Sequence, residues 1–186
     1  LNPAGGQLYN SFMASGRGGD IPVFNRAAFP TWENTAPLED GQWMRLGISG
    51  VLDGYMFDLA RSCAVGRPTN RQIELFETAI EVIDAGIAAV RPGATASDVA
   101  HAGLDAQAAR GFANSGVFKA LGHGLGLGWD SPWLAPNDTT VLEPGMVLCL
   151  ERTIRSEDGY LGDFEETVVV TETGCEVITD ARKRFW

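Results

Sequence analysis

Basic residues are scarce in this sequence. Its 14 Lys and Arg face 24 Asp and Glu, a formal net charge of −10. That balance excludes a nucleic-acid grip resting on general electrostatics and leaves small molecules and cations as partners. Cysteine is also rare: Cys63, Cys149 and Cys175 are an odd number with no CxxC pair. Neither a disulfide framework nor a thiolate zinc site is therefore expected, and free thiols point to a reducing, cytoplasmic location. No run approaches the roughly 18 continuous apolar residues that cross a bilayer, and no basic segment leads into an apolar one at the start. No membrane partner is expected. Heptads, low-complexity tracts and an interdomain linker are missing as well.

What the chain does have is length and apolar content for one core: 186 residues, 45% hydrophobic, read as a single domain over 1–186. Its parts are a loop-rich start with a first strand (1–40), a hairpin (41–66), a helix pair (70–112) and a second sheet half (117–186). Leu1 is not Met, and Leu1–Gly19 has the glycines and Asn2-Pro3 of a loop, so a piece of something longer is expected. Trp43–Ile48 and Tyr55–Ala64 flank the turn signal Asp53-Gly54. After Gly66-Arg67-Pro68, the residues Ile73, Phe76, Ile80, Ile83, Ile87 and Val90 fall at helical steps. Arg91-Pro92-Gly93 ends that helix. A second follows, with Thr95 or Ser97 as N-cap and Val99, Ala102, Ala106 and Ala109 facing inward. A glycine-rich stretch, Gly122–Gly128, and a Pro-containing loop precede the apolar strand Met146–Leu150 and the β-branched strand Phe164–Thr171. The fold class is α+β, with helices segregated to one face of a sheet.

Four side chains stand on or beside these strands where a plain core calls for an apolar residue: Asp58, His123, Glu151 and Glu165. Burying such charges singly costs several kcal/mol, roughly, or forces protonation, and a shared metal ion removes that cost. Oxygen and nitrogen donors without thiolate suit Mn, Fe, Co or Zn. Taken alone, Asp58 reads equally well as a surface residue, and His123 reads better as a loop or core histidine than as a ligand. Side chains alternate along a strand, so only one of Glu165 and Glu166 can enter the site. The glycines of 122–128 lack the GK[ST] ending and the strand-to-helix context of a phosphate loop.

Together, Gly122-His123-Gly124-Leu125-Gly126, Leu142-Glu143-Pro144-Gly145-Met146-Val147 through Glu151, and Phe164-Glu165-Glu166-Thr167-Val168-Val169-Val170-Thr171 resemble blocks of the pita-bread metallopeptidase and creatinase family. Gly54-Tyr55 through Asp58 and Arg61, and Arg91-Pro92-Gly93 through Asp98, resemble two further blocks. The resemblance covers the chain from about Gly41 onward. It implies a curved antiparallel sheet with helices on one face, of which this chain carries only the second helix pair, the first lying before Leu1. It also implies Asp58, His123, Glu151 and Glu165 as metal ligands, Glu151 as proton acceptor for a metal-bound water nucleophile, and a homodimer.

Three positions depart from the family. The first Asp ligand, eleven residues before Asp58, is Gly47, so one divalent ion is expected and the second is in doubt. Asp130 stands seven residues after His123, where the family's peptidases have a substrate-contacting His. It reads either as the cap of a Trp129-Asp130-Ser131-Pro132 turn or as an acidic catalytic residue beside the substrate. No histidine precedes His101, so the family's upstream His has no counterpart. The expected activity is metal-dependent hydrolysis of a peptide-like C–N bond in a short peptide or small molecule, as in a Xaa-Pro peptidase. A lyase of the dimethylsulfoniopropionate type and a non-catalytic binding module are the alternatives. Trp129 and Trp133 read as pocket lining or as core.

Overall fold

The turn signal Asp53-Gly54 closes a hairpin in the computed structural model, which describes residues 5–16, 37–113 and 119–184. Asp53 and Gly54 have φ of 50° and 89°, the paired positive values that a two-residue turn needs to match the strands' twist. The hairpin strands, β2 (Trp43–Leu52) and β3 (Tyr55–Ala64), pair without a break from Trp43↔Ala64 to Leu52↔Tyr55. β1 (Gln7–Gly16) lies against the outer edge of β2. The loop reading of the opening residues is thereby corrected over 7–16, where ladder pairing with β2 overrides local turn chemistry; residues 17–19 lie outside the described residues.

Two helices follow. α1 (Asn70–Ala89) starts at a capping box in which Thr69 and Gln72 satisfy each other's backbone N–H groups. It buries Leu75, Phe76, Ala79, Ile80, Val82 and Ile83, each worth roughly 1.5–3 kcal/mol when large and fully removed from water. α2 (Ala96–Ala109) takes Thr95, not Ser97, as its N-cap. Its inward stripe is Ala96, Val99, Ala100, Gly103 and Gln107, whereas Ala102 and Ala106 are half-buried and Ala109 is exposed. The expected stripe was thus partly wrong, because an alanine weighs little and two less apolar residues have stronger reasons to face in. A Cβ at Gly103 would sit 2.5 Å from Leu121 Cδ2, and the Gln107 amide bridges Phe112 O and Arg152 Nε.

Four more strands and a short fifth complete the antiparallel sheet: β4 (Gly122–Leu125), β5 (Trp129–Trp133), β6 (Val147–Arg155), β7 (Leu161–Val170) and β8 (Cys175–Val177). The order is β1-β2-β3-β7-β6-β4-β5, with β8 on β7. The start of the glycine-rich stretch is therefore a strand. Gly122 has no room for a side chain, since a Cβ there would lie 2.0 Å from Cys149 O on β6. Its glycines serve close strand approach.

Leu148, Leu150, Ile154, Phe164, Val168 and Val170 form the sheet's share of the core under α1. The same face of β2 is not covered by these helices, and Leu46 and Ile48 are 39% and 42% exposed. The opposite face is polar and buried. On β2 it holds Arg45, Gly47 and Ser49, the reverse of ordinary apolar-inward alternation. No helix among the described residues is long and apolar enough to cross a membrane.

Candidate metal centre

Strand register alone assembles the polar face. Ser49 is opposite Asp58, Gly47 opposite Ala60 and Arg45 opposite Ser62. β3 meets β7 at Arg61↔Phe164, and across β7 and β6 Glu165 faces Glu151 while Asp163 faces Thr153. His123 of β4 is opposite Cys149 of β6. Since residues two apart on a strand share a face, Arg45, Asp58, Cys149, Glu151, Asp163 and Glu165 converge with His123 on one surface. Glu166 projects to the other face, where Arg61 Nη2 donates to its Oε1 at 3.2 Å.

Each group is held in place. His123 Nδ1 donates to Gly124 O at 2.9 Å, as a carbonyl can only accept. His123 Nε2 lies on the other side of the ring, 4.0 Å from Asp58 Oδ2. Trp129 Nε1 donates to Asp58 Oδ2 at 2.7 Å, and Cys149 Sγ donates to Glu165 Oε1 at 2.6 Å. Arg45 donates from Nη2 to Glu151 Oε1 and from Nε to Asp163 Oδ2, each at 2.8 Å. Thr153 Oγ1 donates to the other Asp163 oxygen. Among the described residues, the buried Ser49 Oγ has no hydrogen-bond partner.

So many carboxylates in a buried space resist ionisation. Burial, and then the charge of Asp163, push Glu151 up to about 7 against the pull of Arg45. Burial, Glu151 and Asp58 raise Glu165 well above the usual carboxylate range. Burial raises Asp58 too, although Trp129 and His123 pull it down. Burial alone would lower Arg45, but Asp163, Glu151 and Glu165 outweigh it and hold the guanidinium charged.

The family model described as metallopeptidase family M24 matches residues 2–172. The chain belongs to that family. It is 30% identical over 174 residues to an ectoine hydrolase of Halomonas elongata, covering 89% of this chain and 43% of the relative. It is 26% identical over 187 residues to a Xaa-Pro dipeptidase of Pyrococcus furiosus, covering all of this chain and 51% of that one. Among solved structures, the dipeptidase PepE of Mycobacterium ulcerans superposes with a TM-score of 0.82 at 26% identity, over 95% of this chain and 46% of that one. The fold is thus the pita-bread architecture of the M24 prolidases, and the chain spans about two fifths to one half of these relatives' length.

Among the described residues no three His, Cys, Asp or Glu side chains stand ready-made around a common point. Their oxygens are instead taken up by Trp129, Arg45 and Cys149 as donors. The donor set of an M24 ion nevertheless fits. His123 Nε2 and Asp58 Oδ2 stand 4.0 Å apart, a nitrogen and an oxygen donor of the kinds that would hold a borderline divalent ion. The unpartnered Ser49 hydroxyl opposite Asp58 and the crowded, protonation-prone carboxylates are what a bound cation relieves. Gly47 brings no side-chain donor to this face, and Arg45 holds one oxygen each of Glu151 and Asp163.

Asp130 is placed apart from the four. It is exposed, and its Oδ2 accepts from Gly128 N at 3.2 Å, as a turn-capping residue does. Trp129 and Trp133, both partly exposed, lie 6.1 and 5.6 Å from the His123 ring, centroid to centroid, so they belong to the site and not to the core. Arg45, Asp163 and Cys149 went unread in the sequence. Asp163 and Cys149 could have been found, each standing two residues from a candidate ligand and therefore on its face.

Proposed function

We propose that this chain is the catalytic part of a metal-dependent hydrolase that cleaves a peptide-like C–N bond, with Xaa-Pro dipeptides as the first substrate class. The observation that carries the reading is the convergence of Asp58, His123, Glu151 and Glu165 on one buried sheet face, in a member of a metallopeptidase family. These four would hold one divalent ion, Mn, Fe, Co or Zn. When bound, the ion lowers the pKa of a water and polarises the scissile carbonyl.

The chain's own groups would then divide the work. Arg45 fixes Glu151 through Oε1 and leaves Oε2 as the atom that takes a proton from the attacking water. Trp129 and Trp133 flank the substrate beside His123 and keep the site dry. Asp130 at the rim meets a positively charged part of the substrate. A single domain, a homodimer and a cytoplasmic location complete the reading, and the three free thiols suit that compartment.

The test is elemental analysis of the whole protein after chelation and reloading, followed by assays with Xaa-Pro dipeptides and with ectoine, the latter because of the ectoine hydrolase relative. One ion per chain and turnover restored by reloading support the proposal. Full turnover after exhaustive chelation sinks the metal-dependent part of it. For Asp130→Asn, KM for a cationic substrate is expected to rise a few-fold with kcat nearly unchanged. A proportional loss in kcat would instead make Asp130 a catalytic residue.

A further inference from the structure

Arg45 is the least expected member of the site. On a strand that also carries Met44, Leu46 and Ile48, it is the arginine that faces inward, with only 5% of its surface exposed. From β2 it reaches Glu151 on β6, which in the sheet order lies beyond β3 and β7. In a flat sheet those strands would be three spacings of about 4.8 Å apart, so the contact needs both a curved sheet and two extended side chains. On that face the pair next to Arg45 and Ser62 is Gly47 and Ala60, two small residues. Gly47, whose smallness removes a carboxylate donor, is thus the neighbour of Arg45 on this face.

We propose that the Arg45 guanidinium is a built-in cation that stands where a dinuclear relative would need its second metal ion, restricting this site to one. The inference rests on the reading of Asp58, His123, Glu151 and Glu165 as holding an ion. Charge supports it. Asp58, Glu151, Asp163 and Glu165 are four carboxylates around Arg45. One divalent ion plus Arg45 brings three positive charges to them, whereas two ions plus Arg45 would leave the buried site positive. A variant with Asp at 47 and a neutral residue at 45 has five carboxylates and reaches the same balance with two ions. Geometry supports it as well, since Arg45 Nη2 and Nε occupy one oxygen each of Glu151 and Asp163. Unlike an ion, this cation cannot be removed by a chelator.

The experiment is titration of the chelated whole protein with Mn(II), counted by calorimetry and elemental analysis, with electron paramagnetic resonance to detect a spin-coupled pair. The proteins compared are the wild type, Arg45→Lys and the double variant Arg45→Gln with Gly47→Asp. Wild type and Arg45→Lys are expected to take no second ion at saturating Mn(II). The double variant is expected to take one more ion per chain than the wild type and to show the coupled signal. A folded double variant with no added ion would overturn the proposal. So would a wild type with two coupled ions, and that measurement needs no variant to fold. A wild type that binds no ion counts against the hydrolase reading instead, and the increment in the double variant still decides the role of Arg45.

Discussion

Glu151→Gln is expected to lower hydrolysis by about a thousandfold, in the range of losing a positioned proton acceptor, while the metal-stripped protein stays at least as stable at pH 7. The amide is nearly isosteric, and its oxygen can still accept from Arg45 Nη2. What disappears is a buried charge facing Glu165 across the strand pair and close to Asp163. The sign follows from linkage. Glu151 is raised from 4.5 to about 7 in the folded protein, so the folded state holds the proton more tightly than the unfolded one. Stability of the metal-stripped protein is therefore greatest below about pH 4.5 as far as this group is concerned, and it falls as pH rises toward 7. The Gln variant lacks that loss. Melting curves between pH 4.5 and 8, beside initial rates on the reloaded enzyme, check both halves. A variant that retains a tenth of the activity would remove Glu151 from its proposed role, and a melting point several degrees lower at pH 7 would contradict the electrostatics.

Gly122→Ala is expected to be the most damaging single-methyl change in the chain. The added Cβ would fall 2.0 Å from Cys149 O and 2.9 Å from Leu150 Cα, both backbone, so no side-chain rotation relieves the contact. β4 must separate from β6, and the pairings Gly122↔Leu150 and His123↔Cys149 go with it. Overpacking costs typically 1–3 kcal/mol and more where the backbone has to move; here at least about 3 kcal/mol is expected, since β4 carries His123. Urea denaturation should show the midpoint falling with little change in slope, accompanied by weaker binding of any ion. Unchanged stability would mean that the sheet has slack at β4 that the register denies.

Much of this was legible because it is local. The helix α1 announces itself through apolar residues at three- and four-residue steps after Gly66-Arg67-Pro68, and the hairpin through Asp53-Gly54, the pair suited to two positive φ values. The four candidate ligands stood out as charges in apolar runs, and their order along the chain matched the family's blocks. Glycines were silent in one place: between Gly122 and Leu125 they mark backbone packed against backbone, which shows only once the neighbouring strand is seen.

The amino-acid order by itself determined the helix pair, the Asp53-Gly54 hairpin and the last strand pair, the α+β class, the family and which residues carry charge into the sheet, since each depends on residues near in sequence or on a recognisable string. Only the tertiary structure decided which face of β2 is the inner one. Alternation separates Met44, Leu46 and Ile48 from Arg45, Gly47 and Ser49 without choosing between them, and the polar site claims Arg45, Gly47 and Ser49 for the buried face. Pairing Arg45 with Glu151 and Asp163 joins residues 106 and 118 positions apart. A strand's side chains alternate whatever their polarity, and the choice between two faces belongs to what the rest of the sheet brings opposite.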